Sequence, residues 1–509
     1  MRAGSKAPSP PPTGACSRRC PGWPANRCSA NRKQPHACRR DPPAARRRGR
    51  AAPAARALWQ SCYEHTLPPL GSGPALFDAT AADAAEQLAA SLLAELTPPW
   101  SRWFGIAPAR PLQDGPEARA AAEALEDVAV TLQGHFDRSN FAVEMHQAFL
   151  ELVVAGTGVL LVEEAPLGEA SAFRFAAVPL RGAVLEEGAD GRLDTVYRQL
   201  ALSAGQLRQR FPAAELPPDL ARAAASDDPA PHPLLEAIWA ERGGSRYAAI
   251  LTTDPGRPLL LAEGRFAESP CIAFRWLKVP GELYGRGPVM KALPDIRTAN
   301  KVVELVLKNA SIAATGIWQA EDDGVLNPAT VKLVPGAIIP KAPGSAGLTP
   351  LAAPGNFDVS QLVLQDLRGR IRGALLADRL GALQDSRMTA TEVLERSAQT
   401  ARLLGATYGR LQTELLTPLV TRCLGILRRR GEIPTVLLDG RAAALRYESP
   451  LARMQGRADA ANTLLFLQAV GQLGGAAAGQ VDAAAATRWL ARTLGAPAEV
   501  LIPTQPNRE

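Results

Sequence analysis

Leucines recur at helical spacing in the first part of the chain. Between residues 79 and 96 they lie in an Ala-rich run, at Leu88, Leu92, Leu93 and Leu96. This spacing places them on one side of a helix, which Pro98 would end. Two more helices are predicted over residues 118–135 and after the turn that follows, where Ser139 or Asn140 can serve as the N-cap.

The pattern then changes from helices to strands. Residues 153–162 form an apolar run with two glycines, which favours a tight turn into a strand. From residue 171 to residue 278, short alternating runs and a turn at Asp190-Gly191 predict a β-rich region. The Pro- and Asp-rich stretch 215–233 is predicted to be a loop within it. The first half of the chain is therefore predicted to be α+β.

Long helices are predicted in the second half of the chain. One covers residues 295–318 and would span about 35 Å at the helical rise. A Gly- and Pro-rich stretch separates it from a second helix at residues 356–379, whose apolar face carries Val359, Val363, Leu367, Ile371 and Leu375. After a polar break at residues 381–387, a helix of about 40 residues is predicted, with a kink at Pro418.

Composition is that of a globular protein, with 46% hydrophobic and 21% charged residues in a chain of 509. The formal net charge is +7, but residues 1–56 hold 14 basic residues and one acidic residue, so the rest of the chain carries −6. This basic segment is rich in Arg and Pro, and its sequence has neither helical nor strand periodicity, so it is predicted to be disordered. Two interpretations stay open for it. It is a basic arm that binds nucleic acid, or an upstream start was chosen and the true protein begins near Ala57.

Cysteine spacing does not assign a metal site. Four of the seven cysteines lie in the basic segment near His36, at Cys16, Cys20, Cys28 and Cys38. The first two approach the spacing of zinc ligands, but the second half of such a site is missing. The other three, Cys62, Cys271 and Cys423, are predicted to be free thiols in a reducing compartment. No apolar run reaches the ~20 residues of a membrane helix, so no membrane contact is predicted.

Motifs of nucleotide-dependent and hydrolytic enzymes are absent from the sequence. It contains no phosphate-binding loop, no His-Glu-x-x-His and no nucleophile elbow. The turn Gly156-Thr157-Gly158 supports an alternative hypothesis, a nucleotide-binding enzyme. However, a helix precedes this turn and a strand follows it, which is the reverse of a dinucleotide site. A structural turn is the preferred interpretation, and no catalytic residue or cofactor is assigned.

Six short blocks occur in order along the chain. They are Leu58-Trp59-Gln60-Ser61-Cys62-Tyr63 with Leu67-Pro68; residues 92–104 with their Pro-Pro-Trp; Ser139-Asn140-Phe141 continuing to residues 152–156; Gly281-Glu282-Leu283-Tyr284-Gly285-Arg286-Gly287-Pro288; Arg387-Met388-Thr389-Ala390-Thr391-Glu392-Val393; and Ser449-Pro450-Leu451-Ala452-Arg453. In this order they resemble the head-to-tail connector, or portal, proteins of short-tailed bacteriophages. Each block alone is weak, and the shared order over residues 57–495 carries the resemblance.

The resemblance implies an α+β portal-type subunit with an α/β wing, long stem helices, a small clip, a long kinked wing helix and a helical crown. Its parts would be the wing at 57–294, the first stem helix at 295–318, the clip at 319–354, the second stem helix at 355–380, the tunnel loop at 381–390, the long wing helix at 391–440, and the crown with the C-terminal tail at 441–509. Residues 1–56 have no counterpart, which favours the misassigned start.

The implied function is structural and not enzymatic. Such proteins form a ring, usually of twelve subunits, at one vertex of the capsid, through which double-stranded DNA is packaged and ejected. The expected partners are the large terminase subunit, the major capsid and scaffolding proteins and the tail adaptor, in the virion and, during assembly, in the host cytoplasm. A third hypothesis is a basic nucleic-acid-binding module. It requires that DNA affinity survive removal of the basic segment, whereas the net charge of −6 on the remaining chain argues against such affinity.

A DNA conduit must not hold phosphates tightly, because a ring repeats every side chain around its axis. Candidate channel-lining residues are Arg368, Arg372, Arg379, Gln384, Asp385, Ser386 and Arg387. The last four lie in the polar break that resembles the tunnel loop. For Arg368 and Arg372, the alternatives are pairing with neighbouring subunits and a solvated face.

Overall fold

The computed structural model describes residues 52–68, 75–99, 101–108, 116–226, 228–253, 258–315, 318–320, 343–344, 348–350, 357–377, 405, 407–436, 443–448, 450–472 and 481–494. The chain divides into two units, Met1–Arg50 and Ala51–Glu509, and all of these residues belong to the second. The predictions for the basic segment before Ala52, for most of the clip and for the tunnel loop therefore lie outside the described residues.

The described elements alternate between helical and β-rich regions. The helices are α1 (Ala52–Thr66), α2 (Thr80–Leu96), α3 (Pro116–Asp137), α4 (Phe141–Ala155), α5 (Ala204–Arg210), α6 (Pro218–Ala225), α7 (Pro288–Thr315), α8 (Phe357–Ala374), α9 (Thr417–Arg430), α10 (Pro450–Gln472) and α11 (Ala483–Leu494). The strands are β1 (Phe104–Pro108), β2 (Thr157–Glu164), β3 (Phe173–Ala177), β4 (Ala183–Glu187), β5 (Leu193–Leu202), β6 (His232–Glu241), β7 (Gly244–Leu251), β8 (Leu259–Phe266), β9 (Cys271–Arg275), β10 (Trp318–Ala320), β11 (Leu348–Pro350) and β12 (Ala443–Tyr447).

Helices α1, α2 and α4 pack together in the main hydrophobic core. The predicted apolar face of α2 is confirmed, since Leu88, Leu92 and Leu96 are buried there. The side chain of Asn140, a predicted N-cap of α4, makes no capping bond. It instead exchanges hydrogen bonds with the backbone C=O and N–H of Phe175, at 2.8 and 3.0 Å. This side chain therefore joins α4 to β3 instead of capping the helix.

Two antiparallel sheets form the β-rich region, as predicted. One has three strands in the order β3-β2-β9, and the other is a five-stranded meander from β4 to β8. Strand β2 is central in its sheet and buried from Thr157 to Val162, which accounts for its continuous apolar run. In the predicted turn between β4 and β5, Gly191 adopts φ 79°, a conformation that glycine favours.

Residues 215–233, predicted to be a loop, contain helix α6 instead. Its Pro218 lies in the first turn, where the missing N–H removes no helical hydrogen bond. Leu220 then packs with Leu207 and Phe211 in a small second core on the five-stranded sheet. The prediction was wrong because proline breaks the interior of a helix but favours its start.

Helix α1 corrects the predicted end of the basic segment. The helix begins at Ala52, within residues 1–56, which were predicted to be disordered. Alanine has the highest helix propensity, and the helix buries Trp59 and Tyr63 in the main core. The folded part of the chain therefore begins before Ala57.

Helix α7 also begins earlier than predicted, at Pro288 rather than at residue 295, and it contains Pro294. Pro294 cannot donate the usual helical hydrogen bond. Burial of Val289 and Leu293 in the main core offsets this loss, so the helix continues through the proline. Helix α8 packs against α7 and lies within the predicted second stem helix.

Of the helix predicted over residues 391–440, the structure describes residue 405 and residues 407–436. A π-helical turn, Gln412–Leu416, precedes α9, which has Pro418 in its first turn. The π-helical turn is a local change in helical register that ends two residues before Pro418, and the kink predicted at Pro418 stays a prediction. Helix α9 ends at Gly431, which adopts φ 74°, well before the predicted end at residue 440.

The segment from residue 441, predicted to be helical, begins with strand β12. This strand pairs with β1 in antiparallel register, with Phe104 opposite Tyr447 and Pro108 opposite Ala443. The prediction was wrong because the alanines favour a helix locally, whereas a distant partner strand decides the outcome. The predicted Ala-rich helices follow as α10 and α11, which pack against each other.

Candidate functional site

The helix pair α7 and α8 carries those candidate channel residues that the structure describes, Arg368 and Arg372, both on α8. The remaining candidates lie outside the described residues: Arg379, Gln384, Asp385, Ser386 and Arg387. The candidate site therefore comprises the ion pairs, the hydrogen bonds and the exposed side chains of these two helices.

Arg368 pairs with a carboxylate of its own chain. Its Nε donates to Asp78 Oδ2 at 2.8 Å, and the Asp78 side chain is only 3% exposed. The Thr80 N–H donates to the other carboxylate oxygen at 3.0 Å. Burial alone would raise the pKa of Asp78, but the hydrogen bonds from Thr80 and Arg368 and the Arg368 charge together lower it. Arg368 therefore joins α8 to the segment before α2.

Helix α7 binds the same segment. Asn300 Oδ1 accepts hydrogen bonds from the backbone N–H groups of Phe77 and Asp78, at 2.7 and 3.1 Å. Between the two helices, Arg370 of α8 donates to Asp295 of α7 at 2.8 Å. Two of the α8 arginines are thus neutralised by carboxylates within the subunit.

Arg372 differs from these two arginines. It is exposed, and within the described part of the chain it has no hydrogen bond or ion pair. It lies one turn beyond Arg368 on the same side of α8. Its positive charge is therefore available to a ligand or to another subunit.

Apolar side chains are exposed along both helices. They are Leu305 and Leu307 on α7, and Leu362 and Val363 on α8, each more than two-fifths exposed. Leu305 and Leu307 lie two residues apart, so they point to opposite sides of their helix. Exposed apolar surface of this kind on two sides of a helix is typical of contact with other chains.

The turn Gly156-Thr157-Gly158 is a structural junction, as predicted. Gly156 ends α4 with φ 75°, and its N–H donates to Leu152 O at 3.0 Å. Thr157 Oγ1 accepts the Gly285 N–H at 2.8 Å. A Cβ on Gly156 would lie 2.3 Å from Gly285 O, so the two backbones touch. The Gly156 amide is engaged and the turn is covered, so the geometry does not support a nucleotide site.

An ion cluster that sequence reasoning missed surrounds Arg275, the last residue of β9, whose side chain is 1% exposed. Its Nη2 donates to Glu414 Oε1 at 2.7 Å, and its backbone N–H donates to Glu414 Oε2 at 2.9 Å. Its Nη1 lies 3.4 Å from Glu187, which also pairs with Lys278. The cluster ties the β-rich region to the π-helical turn. Because Arg275 and Glu414 are 139 positions apart, no local pattern indicates the pair.

Among the residues that the structure describes, no group of three or more His, Cys, Asp or Glu side chains is placed to hold a metal ion. As predicted, Cys62, Cys271 and Cys423 are free, and all three are buried. Burial raises the pKa of Cys62 and of Cys271 to about 12, so these thiols stay protonated near neutral pH. In the described ranges, every helix is too short or too polar to cross a membrane.

These features define a protein with a mixed fold of helices and antiparallel sheets, in which α7 and α8 pack against each other. The family described as "Bacteriophage head to tail connecting protein" matches residues 49–501, and the chain belongs to this family. The match begins before α1, in agreement with the corrected boundary of the folded part.

Two named phage proteins align with this chain over most of their own length. The "Probable portal protein" of Bordetella phage BPP-1 is 26% identical over 84% of this chain and 80% of its own. The "Portal protein" of Escherichia phage T7 is 23% identical over 74% of this chain and 72% of its own. Among solved structures, a chain from the "Virion of native gene transfer agent (GTA) particle" covers 88% of this chain and 94% of its own, at 13% identity and a TM-score of 0.40.

Proposed function

We propose that this protein is a portal subunit, which forms a closed ring at one vertex of a phage capsid. Membership of the head to tail connecting family and the names of its relatives support this function. The ring, of twelve copies, surrounds a channel through which double-stranded DNA enters during packaging and leaves during ejection. The protein acts in the virion and assembles in the host cytoplasm.

We assign the described elements to the parts of such a subunit, with the boundaries changed where the structure differs from the prediction. Helices α1–α6 and strands β1–β9 form the wing, and β12 belongs with it because it pairs with β1. Helices α7 and α8 are the two stem helices, and the β10–β11 pair belongs to the clip. The π-helical turn and α9 form the long wing helix, and α10 and α11 form the crown. Residues 381–390 are the tunnel loop.

The partners follow from these parts. The clip binds the large terminase subunit during packaging and the tail adaptor afterwards. The wing contacts the major capsid and scaffolding proteins. The function requires no cofactor and no catalytic residue, since the chain supplies a passage and docking surfaces.

The surface of the α7–α8 pair carries the proposal. A stem helix in a ring meets other subunits on its flanks, and Leu305 and Leu307 are exposed on opposite sides of α7. The channel must not bind DNA phosphates tightly. Arg368 and Arg370 meet this requirement because each is paired with a carboxylate of the same chain. Both properties suit a wall subunit of a DNA channel.

Ring formation by the full-length protein tests the function. In negative-stain images of the purified protein we expect closed rings with a central hole. Leu307→Gln combined with Leu362→Gln should reduce the fraction of rings, because both side chains lie on the exposed helix pair. Leu167→Gln, at an exposed loop position outside the pair, is the control and should leave ring formation unchanged. A wild-type protein that remains monomeric at high concentration contradicts the function.

A further inference from the structure

We infer that helix α10 lies between two neighbouring copies of this chain, with Leu464 contacting one copy and Phe466 contacting the other. The inference rests on the proposed ring and adds a second contact between subunits, separate from the α7–α8 pair.

One side of α10 is covered within its own subunit. The less exposed positions are Ala460, Thr463, Leu467 and Val470, which recur at helical spacing and form a single stripe. Helix α10 packs against α11 and also contacts α2. The stripe is therefore the side that faces the rest of the subunit.

The other sides of the helix expose three consecutive large apolar residues. Leu464 is 44% exposed, Leu465 is 63% exposed and Phe466 is 57% exposed. At about 100° per residue, Leu464 and Phe466 lie about 80° to either side of the covered stripe, and Leu465 lies opposite it. The helix is therefore apolar on both flanks as well as on its packed side, which is typical of a helix buried among other chains.

The charge of this stretch selects the kind of partner. Residues 460–472 contain no Asp, Glu, Lys or Arg. A surface that contacts DNA needs cations for the phosphates, so DNA does not fit this stretch. An uncharged apolar stretch fits another protein surface, because aromatic and aliphatic side chains form the cores of protein interfaces.

Ring geometry selects a second copy of the chain as that partner. In a closed ring each subunit meets two neighbours through two different surfaces, one on each side. A helix that contacts both neighbours therefore needs an apolar side chain on each of two flanks, which is what Leu464 and Phe466 provide. A single partner protein bound to one side would need only one of them. Leu465, opposite the stripe, is not required for either contact.

Single substitutions test whether ring formation depends on the flanking residues Leu464 and Phe466 and not on Leu465, which lies opposite the covered stripe. We expect Leu464→Gln and Phe466→Gln each to raise the protein concentration needed for ring formation by about tenfold or more, because each removes an apolar contact at one boundary. Leu465→Gln is the matched control on the same helix, and we expect a change below about twofold. Sedimentation velocity across a range of concentrations measures the ring fraction, and circular dichroism verifies that the helical content is retained.

The outcomes distinguish this inference from the proposed function. If wild-type protein forms rings and all three variants keep them, the contact with neighbouring copies is wrong, whereas the portal function stands. Equal loss of rings in all three variants also contradicts it, since the effect would then come from the helix as a whole. Rings that persist in Phe466→Gln but fail to enter capsids would assign this flank to another capsid protein. Absence of wild-type rings contradicts the function itself.

Discussion

At the scale of single residues, two carboxylates respond to their surroundings in opposite ways. Glu151 accepts the Tyr63 hydroxyl at 2.5 Å, yet its burial raises its pKa. Asp78 is also buried, but the hydrogen bonds from Thr80 and Arg368 outweigh that burial and lower its pKa. The ionised form of Asp78 therefore stabilises the folded state, whereas ionisation of Glu151 destabilises it.

Asp78→Asn tests the contribution of the lowered pKa. A carboxyl with a lower pKa in the folded state contributes stability above its unfolded pKa and loses it as the pH falls. We expect the variant to lose about 1 kcal/mol near pH 7, a small figure because the Arg368 side chain is 42% exposed. The difference from wild type should shrink as the pH falls below 3.8, the ordinary pKa of an aspartate side chain. Urea denaturation at pH 7 and at a pH below 3.8 measures the difference in stability between the variant and wild type. An equal difference at the two pH values would contradict a lowered pKa of Asp78.

At the scale of elements, the Arg275–Glu414 pair connects β9 to the π-helical turn that precedes α9. Both side chains are almost entirely buried, at 1% and 10% exposure. A buried pair adds little stability over an apolar pair of the same size, but removal of one partner leaves the other charge uncompensated. The pair therefore holds the irregular turn in one position relative to the sheet.

Arg275→Met should destabilise the protein by about 3 kcal/mol or more, because Glu414 then remains buried without its main partner. The melting temperature measures the loss. Arg286→Gln is the matched control: its side chain is 57% exposed and pairs with Glu282, four residues earlier in the chain. We expect no measurable change for it. The double variant Arg275→Met with Glu414→Leu should recover most of the stability, and a sum of two separate losses would show that the side chains do not interact.

Sequence periodicity predicts elements whose pattern is local. The apolar face of α2 and the strands around the Asp190-Gly191 turn follow from spacing alone, since the same residues that set the pattern form the core. On α8 and just beyond its end, the predicted face is buried at Leu367, Ile371 and Leu375, whereas Val363 is exposed. The pairing of β1 with β12 and of Arg275 with Glu414 joins residues far apart in sequence, and no short window contains both partners.

The candidate site shows the same division. Sequence reasoning chose arginines on α8 but could not separate Arg368 from Arg372, because the partner that neutralises Arg368 is Asp78, on a different segment. The junction at Gly156 was predicted from its order in the chain, a helix before and a strand after. Its partner Gly285 lies in a block that had no assigned packing role.

At the scale of the whole molecule, a ring multiplies the charge of each unpaired side chain. Arg372 is unpaired within the described part of the subunit, so the copies in the proposed ring would form a circle of positive charge. Arg368 and Arg370 contribute no such circle, because each is bound to a carboxylate. The balance between passage and retention of DNA would then depend on Arg372.

Arg372→Gln should weaken binding of short double-stranded DNA to assembled rings by about tenfold at low salt and flatten its salt dependence, since released counterions set that slope. Arg208→Gln is the control, because Arg208 is an exposed arginine of α5, outside the helix pair. It should leave DNA binding unchanged. Fluorescence anisotropy at several salt concentrations measures both variants. An equal change in both would show that Arg372 has no special position.

The pairing of β1 with β12 also sets an order of events during synthesis. Strand β1 ends at Pro108, whereas its partner begins at Ala443. At about 5 to 20 residues per second, the ribosome needs about 20 to 70 s to deliver the second strand after the first. Until then the edge of β1 has no strand beside it, and such edges pair with other chains. Nascent chains on one messenger are therefore exposed to mispairing, and any truncation before residue 443 makes that exposure permanent.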